Sequence, residues 1–330
     1  MWKFFATKQY LLWAWGGALA IIGSLWYQVQ VNVKINEWFG SFYDLIQVAL
    51  ANPGTIEGTQ YWALMWEFGT IAGVFILVAV LTDYFTQHYV FRWRQSMNDH
   101  YVKHWSKLRH IEGASQRVQE DTKKLAILLE TLGVGFVRAV MTLIAFVPIL
   151  WGLSKAITVV PLLGTVPHAL VIGAIGFALI GTVGLAILGM KLPGLEFNNQ
   201  VVEARYRKEL VHGEDNDQMM QPKTVKDLWA DVRKNYFKLY FHYMYFGIGK
   251  WSYLQFGVLV PYIIMGPTII GGLITFGVMQ QTVRAFGQVE SSLQYLVSNW
   301  TTIVELISVH KRLKAFEKEL NKGGMNEVRT

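Results

Sequence analysis

Cysteine is absent from this chain of 330 residues. That absence excludes disulfides, thiolate metal ligands and cysteine nucleophiles from its chemistry. Charged residues are also scarce at 16% of the sequence, whereas hydrophobic residues reach 52% and aromatic residues 14%. Such a balance is typical of a protein whose main solvent is a lipid bilayer. We therefore expect an all-α polytopic membrane protein with almost no mass left for a soluble catalytic domain.

The sequence also lacks the short motifs of nucleotide and metal enzymes. The P-loop pattern G-x-x-x-x-G-K-[ST] does not occur, and its nearest fragment, Gly249-Lys250, has Met244 at the first glycine position. His100 and His104 are four residues apart without the glutamate of H-E-x-x-H, which indicates a surface helix rather than a zinc site. We expect no catalytic residues, no metal and no cofactor, and we do not expect an enzyme.

Long uncharged runs are abundant by contrast. A spanning helix needs about 20 apolar residues, because it rises about 1.5 Å per residue through a hydrocarbon core about 30 Å thick. The run from Trp251 to Val283 has no charge and is too long for one span. Pro261, Pro267 and the Gly271-Gly272 pair mark a break in it, so we divide it into a tight hairpin of two helices with a turn near Gly266-Pro267. The sequence then predicts about six spans, at residues 10–29, 61–90, 125–153, 168–190, 240–265 and 268–300.

The formal net charge of +7 would also suit a nucleic-acid-binding protein, but its distribution argues against that class. The predicted outer connections, 30–59 and 154–167, contain only Lys34 and Lys155 as basic residues. The remaining lysines and arginines concentrate near both termini and in residues 92–124 and 191–235. Because cytoplasmic loops are enriched in basic residues, we expect a bacterial inner-membrane protein with both termini in the cytoplasm and no nucleic-acid partner.

The two inner segments, 92–124 and 191–235, contain few Gly or Pro residues and are predicted to be long cytoplasmic helices. Long helices at these places resemble the transmembrane half of an ABC exporter. Only the last 20 residues follow His310, too few for a nucleotide-binding domain. We assign residues 1–315 to a transmembrane transporter domain and residues 316–330 to a cytoplasmic tail. ATP is then supplied by a separate subunit or not used.

Five blocks of sequence carry a more specific resemblance. They are HYVFRWR (88–94), LRHIEGASQRVQEDT (108–122), KLPGLEFNNQVVEARYRKELVHGED (191–215), NYFKLYFHYMYF (235–246) and FGQVESSLQYLVSNWTTIVEL (286–306). Through them nearly the whole chain resembles the SbmA/BacA family of bacterial peptide transporters. Some members of that family carry an additional N-terminal membrane-embedded region, whereas this chain starts almost directly at its first core helix.

The resemblance implies a homodimeric inner-membrane importer with an ABC-exporter-like membrane fold and no nucleotide-binding domain. It implies transport driven by the proton gradient. The implied substrates are proline-rich antimicrobial peptides, modified microcins, bleomycin-type compounds and, in some relatives, cobalamin.

Proton coupling needs a group that loads on one side and unloads on the other, and burial in a membrane or cavity favours the neutral form of a carboxyl group. Glu130 is the first candidate, because it interrupts the third span between Leu129 and Leu132. Arg138 lies eight residues further on, about 12 Å along a helix axis, and is too far away for a direct bond. A fixed salt bridge between Glu130 and another helix is the alternative interpretation.

Other candidates lie in the inner segments. Glu203, Glu209 and Glu214 form a second group, although Glu203 could simply pair with Arg207 at helical i, i+4 spacing. The resemblance implies that Glu130, Glu203 and Glu214 form a ladder across the cavity. Secondary acidic candidates, equally well explained by a surface helix, are Glu112 and Glu120.

Four tyrosines, Tyr236, Tyr240, Tyr243 and Tyr245, form an aromatic band near the start of the fifth span. They suit either a cavity wall that stacks on peptide substrates or an interfacial belt.

Three functions stay open at this point. The leading one is a proton-coupled importer of peptides and peptide-like antibiotics. The alternative is the membrane half of an ABC-type transporter for peptides or cobalamin, with a separately encoded ATPase. The third is a membrane protein that does not transport, such as a scaffold or a lipid-modifying enzyme.

Overall fold

The computed structural model describes residues 2–111, 114–157, 159–161, 164–215 and 222–326. Within these ranges the protein is almost entirely helical, as the composition predicted. The longer helices are α1 (Gly17–Ala51), α2 (Gly58–Lys103), α5 (Thr122–Ser154), α6 (Ala169–Gly189), α7 (Leu192–Asp215), α8 (Pro222–Ile270), α9 (Phe276–Leu293) and α11 (Trp300–Asn326). The short ones are α3 (Trp105–Leu108), α4 (Ala114–Gln116) and α10 (Tyr295–Ser298), with a 3-10 helix at Trp2–Phe5 and π-helical turns at Leu12–Gly16 and Arg117–Asp121.

A two-stranded antiparallel hairpin lies between α5 and α6. Its strands are β1 (Val159–Val160) and β2 (Gly164–Thr165), and Val159 pairs with Thr165. Gly164 has a φ of 71°, a left-handed conformation that glycine adopts without steric cost. The predicted outer connection 154–167 therefore contains this hairpin.

Four stretches of helix in the described ranges are long and apolar enough to cross a bilayer. They are Gly58–Lys103, Ala114–Ser154, Ala169–Val211 and Lys223–Ile270. Large apolar side chains such as Ile76, Leu77 and Ile180 are exposed on them, as a lipid-facing surface requires. The predicted first and sixth spans fall mainly on α1 and α9, which are not among these four stretches, and the count of six stays a prediction.

Helix α1 is longer than the sequence indicated. The predicted connection at residues 30–59 is wrong over residues 30–51, because α1 continues to Ala51. Val31, Ile35 and Trp38 recur at helical spacing and are buried, and the packing of this stripe outweighs the polar residues between them. The connection to α2 is therefore confined to residues 52–57.

The turn between α8 and α9 also differs from the prediction. A turn near Gly266-Pro267 is wrong, since α8 runs through Pro261 and Pro267 and ends at Ile270. Neighbouring helices and local adjustments of the backbone let membrane helices accommodate proline. The chain reverses instead at Gly271-Gly272, where Gly272 has a φ of 62°.

The predicted inner segments consist of several helices. Residues 92–124 contain the end of α2, the short helices α3 and α4, the second π-helical turn and the start of α5. Residues 191–235 contain α7 and the first part of α8. The predicted fifth span therefore continues from a helix that begins at Pro222.

The chain forms two compact units, one of residues 1–174 with 263–330 and the other of residues 175–262. In the first unit, α9 packs along both α1 and α5, and α2 packs on α1 and α5 as well. The start of α9 is held by α1, because the backbone N–H of Gly277 donates to Asp44 Oδ1 at 2.8 Å and that of Phe276 donates to Gln47 Oε1 at 2.6 Å. These bonds satisfy donors that a helix N-terminus leaves free.

One end of the first unit is closed by the C-terminal helix. Phe316 on α11 is fully buried in a core with Tyr101 and Leu108. Arg312 donates two hydrogen bonds to the Asp121 carboxylate, Nη2 to Oδ1 at 2.8 Å and Nε to Oδ2 at 3.0 Å. This hydrogen-bonded pairing with Asp121 raises the pKa of the Arg312 guanidinium above its ordinary value. The π-helical turn that precedes α5 is thereby tied to α11.

The second unit contains most of α6, all of α7 as far as it is described, and most of α8. Leu192, Leu195 and Leu239 form its small buried core. Tyr253 of α8 stacks on Phe177 of α6 with ring centroids 4.5 Å apart.

Candidate functional site

A polar cavity of about 610 Å³ lies within the first unit. Its walls come from α2, α5 and α9 together with the first residue of α10. Three charged side chains line it, Asp83 from α2 and Glu130 and Arg138 from α5. The opposite wall supplies amide and hydroxyl groups from Gln288, Ser291, Ser292 and Tyr295.

Glu130 is half-buried in this cavity. In the described part of the chain it forms no ion pair, whereas the neighbouring candidate Glu120 does. Arg138 instead donates from Nη2 to Gln28 Oε1 at 3.3 Å, in agreement with the prediction that it is too far along α5 to bond Glu130. The structure therefore provides no fixed cation for the Glu130 carboxylate among the described residues.

A buried hydrogen-bond network supports the α2 wall of the cavity. Gln28 of α1 is 2% exposed and donates to Thr82 Oγ1 at 2.9 Å, and Ser24 shares a further hydrogen bond with the Thr82 hydroxyl. Gln28 also accepts the bond from Arg138. Because Thr82 precedes Asp83, this network fixes the place where the Asp83 carboxylate enters the cavity.

Tyr295 closes the cavity wall between α5 and α10. Its hydroxyl lies 3.2 Å from the carbonyl oxygens of Thr131 and Leu132, the two residues that follow Glu130. Sequence reasoning did not select Tyr295, Gln288 or Asp83. The block 286–306 is distinctive in sequence, but the sequence alone does not show which of its residues face a cavity.

The other predicted glutamates lie in the second unit, on α7. Glu203 and Glu209 are half-buried, and Glu203 forms no ion pair with Arg207 in the described part of the chain. Glu214 belongs to α7, but its side chain lies outside what the structure describes. A ladder that joins these residues to Glu130 therefore stays a prediction.

The secondary acidic candidates have separate outcomes. Glu120 pairs with Lys124 at 3.6 Å and accepts a hydrogen bond from Gln116 Nε2 at 3.0 Å, which favours the surface-helix interpretation. Glu112 lies outside the described residues.

The four predicted tyrosines all lie on α8. Tyr236 and Tyr240 have ring centroids 5.6 Å apart, and Tyr245 lies 6.0 Å from Phe241. The hydroxyl of Tyr243 donates to Glu196 Oε1 at 2.6 Å. A role for these tyrosines in a substrate cavity stays a prediction.

Metal binding finds no support in the part of the chain that the structure describes. Within it, no group of three or more His, Asp or Glu side chains is arranged to hold an ion. His100 and His104 lie side by side with ring centroids 4.8 Å apart, and Nδ1 of His104 lies 2.8 Å from the backbone oxygen of His100. That arrangement occurs on an ordinary helix surface.

Together, the apolar helices and the cavity lined by carboxylates define an all-α membrane protein with ionisable groups in an open cavity between its helices. Ionisable groups at such positions commonly mark substrate or ion pathways. The chain belongs to the SbmA/BacA-like family, which matches residues 7–321.

Curated relatives include longer proteins named for ATP binding. The chain is 26% identical over 292 residues to an uncharacterized ABC transporter ATP-binding protein of Synechocystis, which covers 82% of this chain and 42% of the relative. It is 23% identical over 316 residues to the inner membrane ABC transporter ATP-binding protein YddA of Escherichia coli, covering 88% and 54%. An uncharacterized ABC transporter ATP-binding protein of Haemophilus influenzae is 25% identical over 203 residues, covering 58% and 33%. The chain spans about half the length of the first two of these relatives, or less.

Proposed function

We propose that this protein is a proton-coupled importer of peptides and peptide-like antibiotics in the bacterial inner membrane. Proline-rich antimicrobial peptides, modified microcins and bleomycin-type compounds are the proposed substrates. The observation that carries the proposal is the half-buried Glu130, which lines a polar cavity of about 610 Å³ and forms no ion pair among the described residues. Membership of the SbmA/BacA-like family supports it.

Glu130 is suited to carry the coupling proton because its surroundings favour a change of charge. A carboxylate fixed to a cation would stay ionised, whereas an unpaired carboxylate in a partly desolvated cavity can take up and release a proton. Asp83 lines the same cavity, so full ionisation of both groups places two like charges in one chamber. We propose Glu203 and Glu214 as further members of the proton path.

We further propose that the protein is a homodimer with both termini in the cytoplasm, and that residues 1–315 form its transport domain. Large apolar faces on α2, α6 and α8 support a location in a lipid bilayer. No covalent chemistry is required of it, since moving a peptide down a coupled gradient breaks no bond.

Glu130→Gln tests this proposal, with Glu120→Gln as the matched control. Both changes remove one carboxylate, but Glu120 is already paired with Lys124 at the surface. In proteoliposomes with an imposed proton gradient, Glu130→Gln is expected to lower uptake of a labelled proline-rich peptide at least tenfold. Glu120→Gln is expected to transport at the wild-type rate, and both variants are expected to reach the wild-type amount of dimer in the membrane.

Wild-type uptake by Glu130→Gln would contradict a coupling role for this residue. Loss of folded dimer in the same variant would favour the structural interpretation of Glu130. In cells, expression in a strain without its own peptide importer is expected to restore sensitivity to a proline-rich antimicrobial peptide.

A second candidate function is the membrane half of an ABC-type transporter for peptides or cobalamin. The specific observation in its favour is that similar proteins are named ABC transporter ATP-binding proteins and are about twice as long. A protonophore applied while ATP is preserved separates the two functions. Collapse of uptake supports proton coupling, and continued uptake that stops on ATP depletion supports a separate ATPase.

A further inference from the structure

The helix that follows the turn at Gly271-Gly272 is irregular at two positions beside the cavity. Helix α9 ends at Leu293, α10 covers only Tyr295–Ser298, and α11 begins at Trp300. At Gln294 and Asn299 the backbone departs from regular helical angles, but the N–H groups of Gln294, Asn299 and Ile303 still bond the carbonyl oxygen four residues earlier. Tyr295 therefore lies between two irregular positions of an otherwise hydrogen-bonded helix.

A glycine on the facing helix makes room for the Tyr295 ring. At Gly135 of α5, an added Cβ atom would lie 2.6 Å from Cζ of Tyr295, closer than real Cβ contacts come. Any larger residue at this position would therefore displace the ring. The ring fills a notch on α5 that only glycine leaves open.

The Tyr295 hydroxyl anchors the ring in that notch. It lies 3.2 Å from the carbonyl oxygens of both Thr131 and Leu132. A phenolic hydroxyl has one hydrogen to donate, so the two carbonyls share it in a three-centre bond. These carbonyls belong to the helical turn that begins at Glu130.

We propose that Tyr295 is a positioning residue that latches the start of α10 to the Glu130 turn of α5 and so controls access to the buried part of the cavity. The inference deepens the proposed function, because the cavity whose wall the latch holds is the one assigned there to proton coupling. With the latch engaged, the wall formed by Gln288 and Ser292 is held against α5. With the latch released, that wall can separate from α5 and uncover buried cavity residues such as Thr142.

A second tyrosine in a glycine notch provides an internal comparison. In the second unit, an added Cβ at Gly181 would overlap the ring of Tyr253, whose hydroxyl donates to the carbonyl oxygen of Phe177 at 3.3 Å. The chemistry of the two notches is the same, but Tyr253 does not line the cavity that contains Glu130. An effect specific to the latch must therefore appear at Tyr295 and not at Tyr253.

Cysteine labelling measures access to the cavity directly. Because the chain has no cysteine, Thr142→Cys introduces one reactive thiol at a buried position on the α5 wall of the cavity without other changes. The rate of its reaction with a hydrophilic maleimide is compared in Thr142→Cys alone and with Tyr295→Phe, Gly135→Ala or Tyr253→Phe added. Tyr295→Phe keeps the ring and removes only the hydroxyl.

We expect Tyr295→Phe to accelerate labelling about fivefold, the factor that corresponds to one net hydrogen bond of about 1 kcal/mol. Gly135→Ala is expected to accelerate it at least as much, and Tyr253→Phe to leave it within about twofold of the parent. A labelling rate that Tyr295→Phe does not change overturns the latch, as does an equal acceleration by Tyr253→Phe. If Gly135→Ala does not fold, Tyr295→Phe decides alone.

A purely structural role for Tyr295 would lower the yield and the melting temperature without accelerating the labelling of the remaining folded protein. Labelling is therefore normalised to folded protein recovered by size exclusion. The assay requires no transport, so a failure of the Glu130→Gln experiment would reject the proposed function and leave the latch to be judged on labelling.

Discussion

The close contact between α1 and α9 predicts that one added methyl group at Gly277 destabilises the protein. At Gly277, an added Cβ atom would overlap the backbone carbonyl oxygen of Gly40 and approach the Asp44 carboxylate. A backbone atom cannot rotate away as the end of a flexible side chain can. Gly277→Ala therefore forces the two helices apart at the point where Asp44 accepts the N–H of residue 277.

The magnitude follows from the two interactions that are disturbed. Overpacking of a close contact costs about 1 to 3 kcal/mol. Weakening a hydrogen bond to a charged group costs about 1.5 to 3 kcal/mol. The better helix propensity of alanine offsets up to about 1 kcal/mol of this loss of stability. We expect Gly277→Ala to lower the free energy of unfolding by about 2 to 5 kcal/mol.

Gly287→Ala is the matched control, because it lies in the same helix and its added Cβ would meet nothing within 4 Å. Thermal unfolding in detergent is followed through the fluorescence of the 13 tryptophans. At about 2 °C per kcal/mol, Gly277→Ala is expected to melt about 4 to 10 °C below the wild type. Gly287→Ala is expected to melt at or above the wild-type temperature. Equal melting temperatures for the two variants would refute the close α1–α9 contact.

Two further predictions concern buried polar groups. Asp121→Asn is expected to lower the free energy of unfolding by about 2 kcal/mol, since it weakens the two bonds to Arg312. Glu120→Gln, which disturbs only exposed contacts with Lys124 and Gln116, is expected to cost less than about 0.5 kcal/mol, and similar losses in the two melting curves would count against the tie between Asp121 and α11. Asn36 is 1% exposed, and neither polar atom of its amide has a hydrogen-bond partner among the described residues. Asn36→Leu is therefore expected to raise stability by about 1 kcal/mol, and a lower melting temperature would show that the amide is hydrogen-bonded in the membrane-embedded protein.

Hydropathy was sufficient to locate the apolar helices but not to bound the polar ones. The predicted second to fifth spans lie on the four stretches of helix that are apolar enough to cross a bilayer. The continuation of α1 to Ala51 was missed because the first span was ended near Val29, where the uncharged run ends after about 20 residues. The i, i+4, i+7 spacing of Val31, Ile35 and Trp38 indicates that the helix continues, because an amphipathic helix carries polar residues on its other face.

Only those residues of the candidate site that are unusual within their own helix could be predicted from the sequence. Glu130 stands out in the sequence because a carboxylate interrupts an apolar run. Asp83 and Tyr295 do not stand out, because their place in the cavity depends on contact with α5, which is distant from both of them in the sequence. Proline positions misled for a related reason: whether Pro267 ends a helix depends on its neighbours in space, whereas the φ of 62° at Gly272 is a local requirement that glycine meets.

The pairing of α1 with α9 has a consequence for biosynthesis. The residues that form its two capping bonds are 229 and 233 positions apart in the sequence. A ribosome that adds about 5 to 20 residues per second needs roughly 10 to 50 s to produce α9 after α1 has emerged. During that interval the Asp44 carboxylate and the Gly40 notch have no partner from α9. Translation that stops before Phe276 would therefore leave α1 with the surface that binds α9 uncovered.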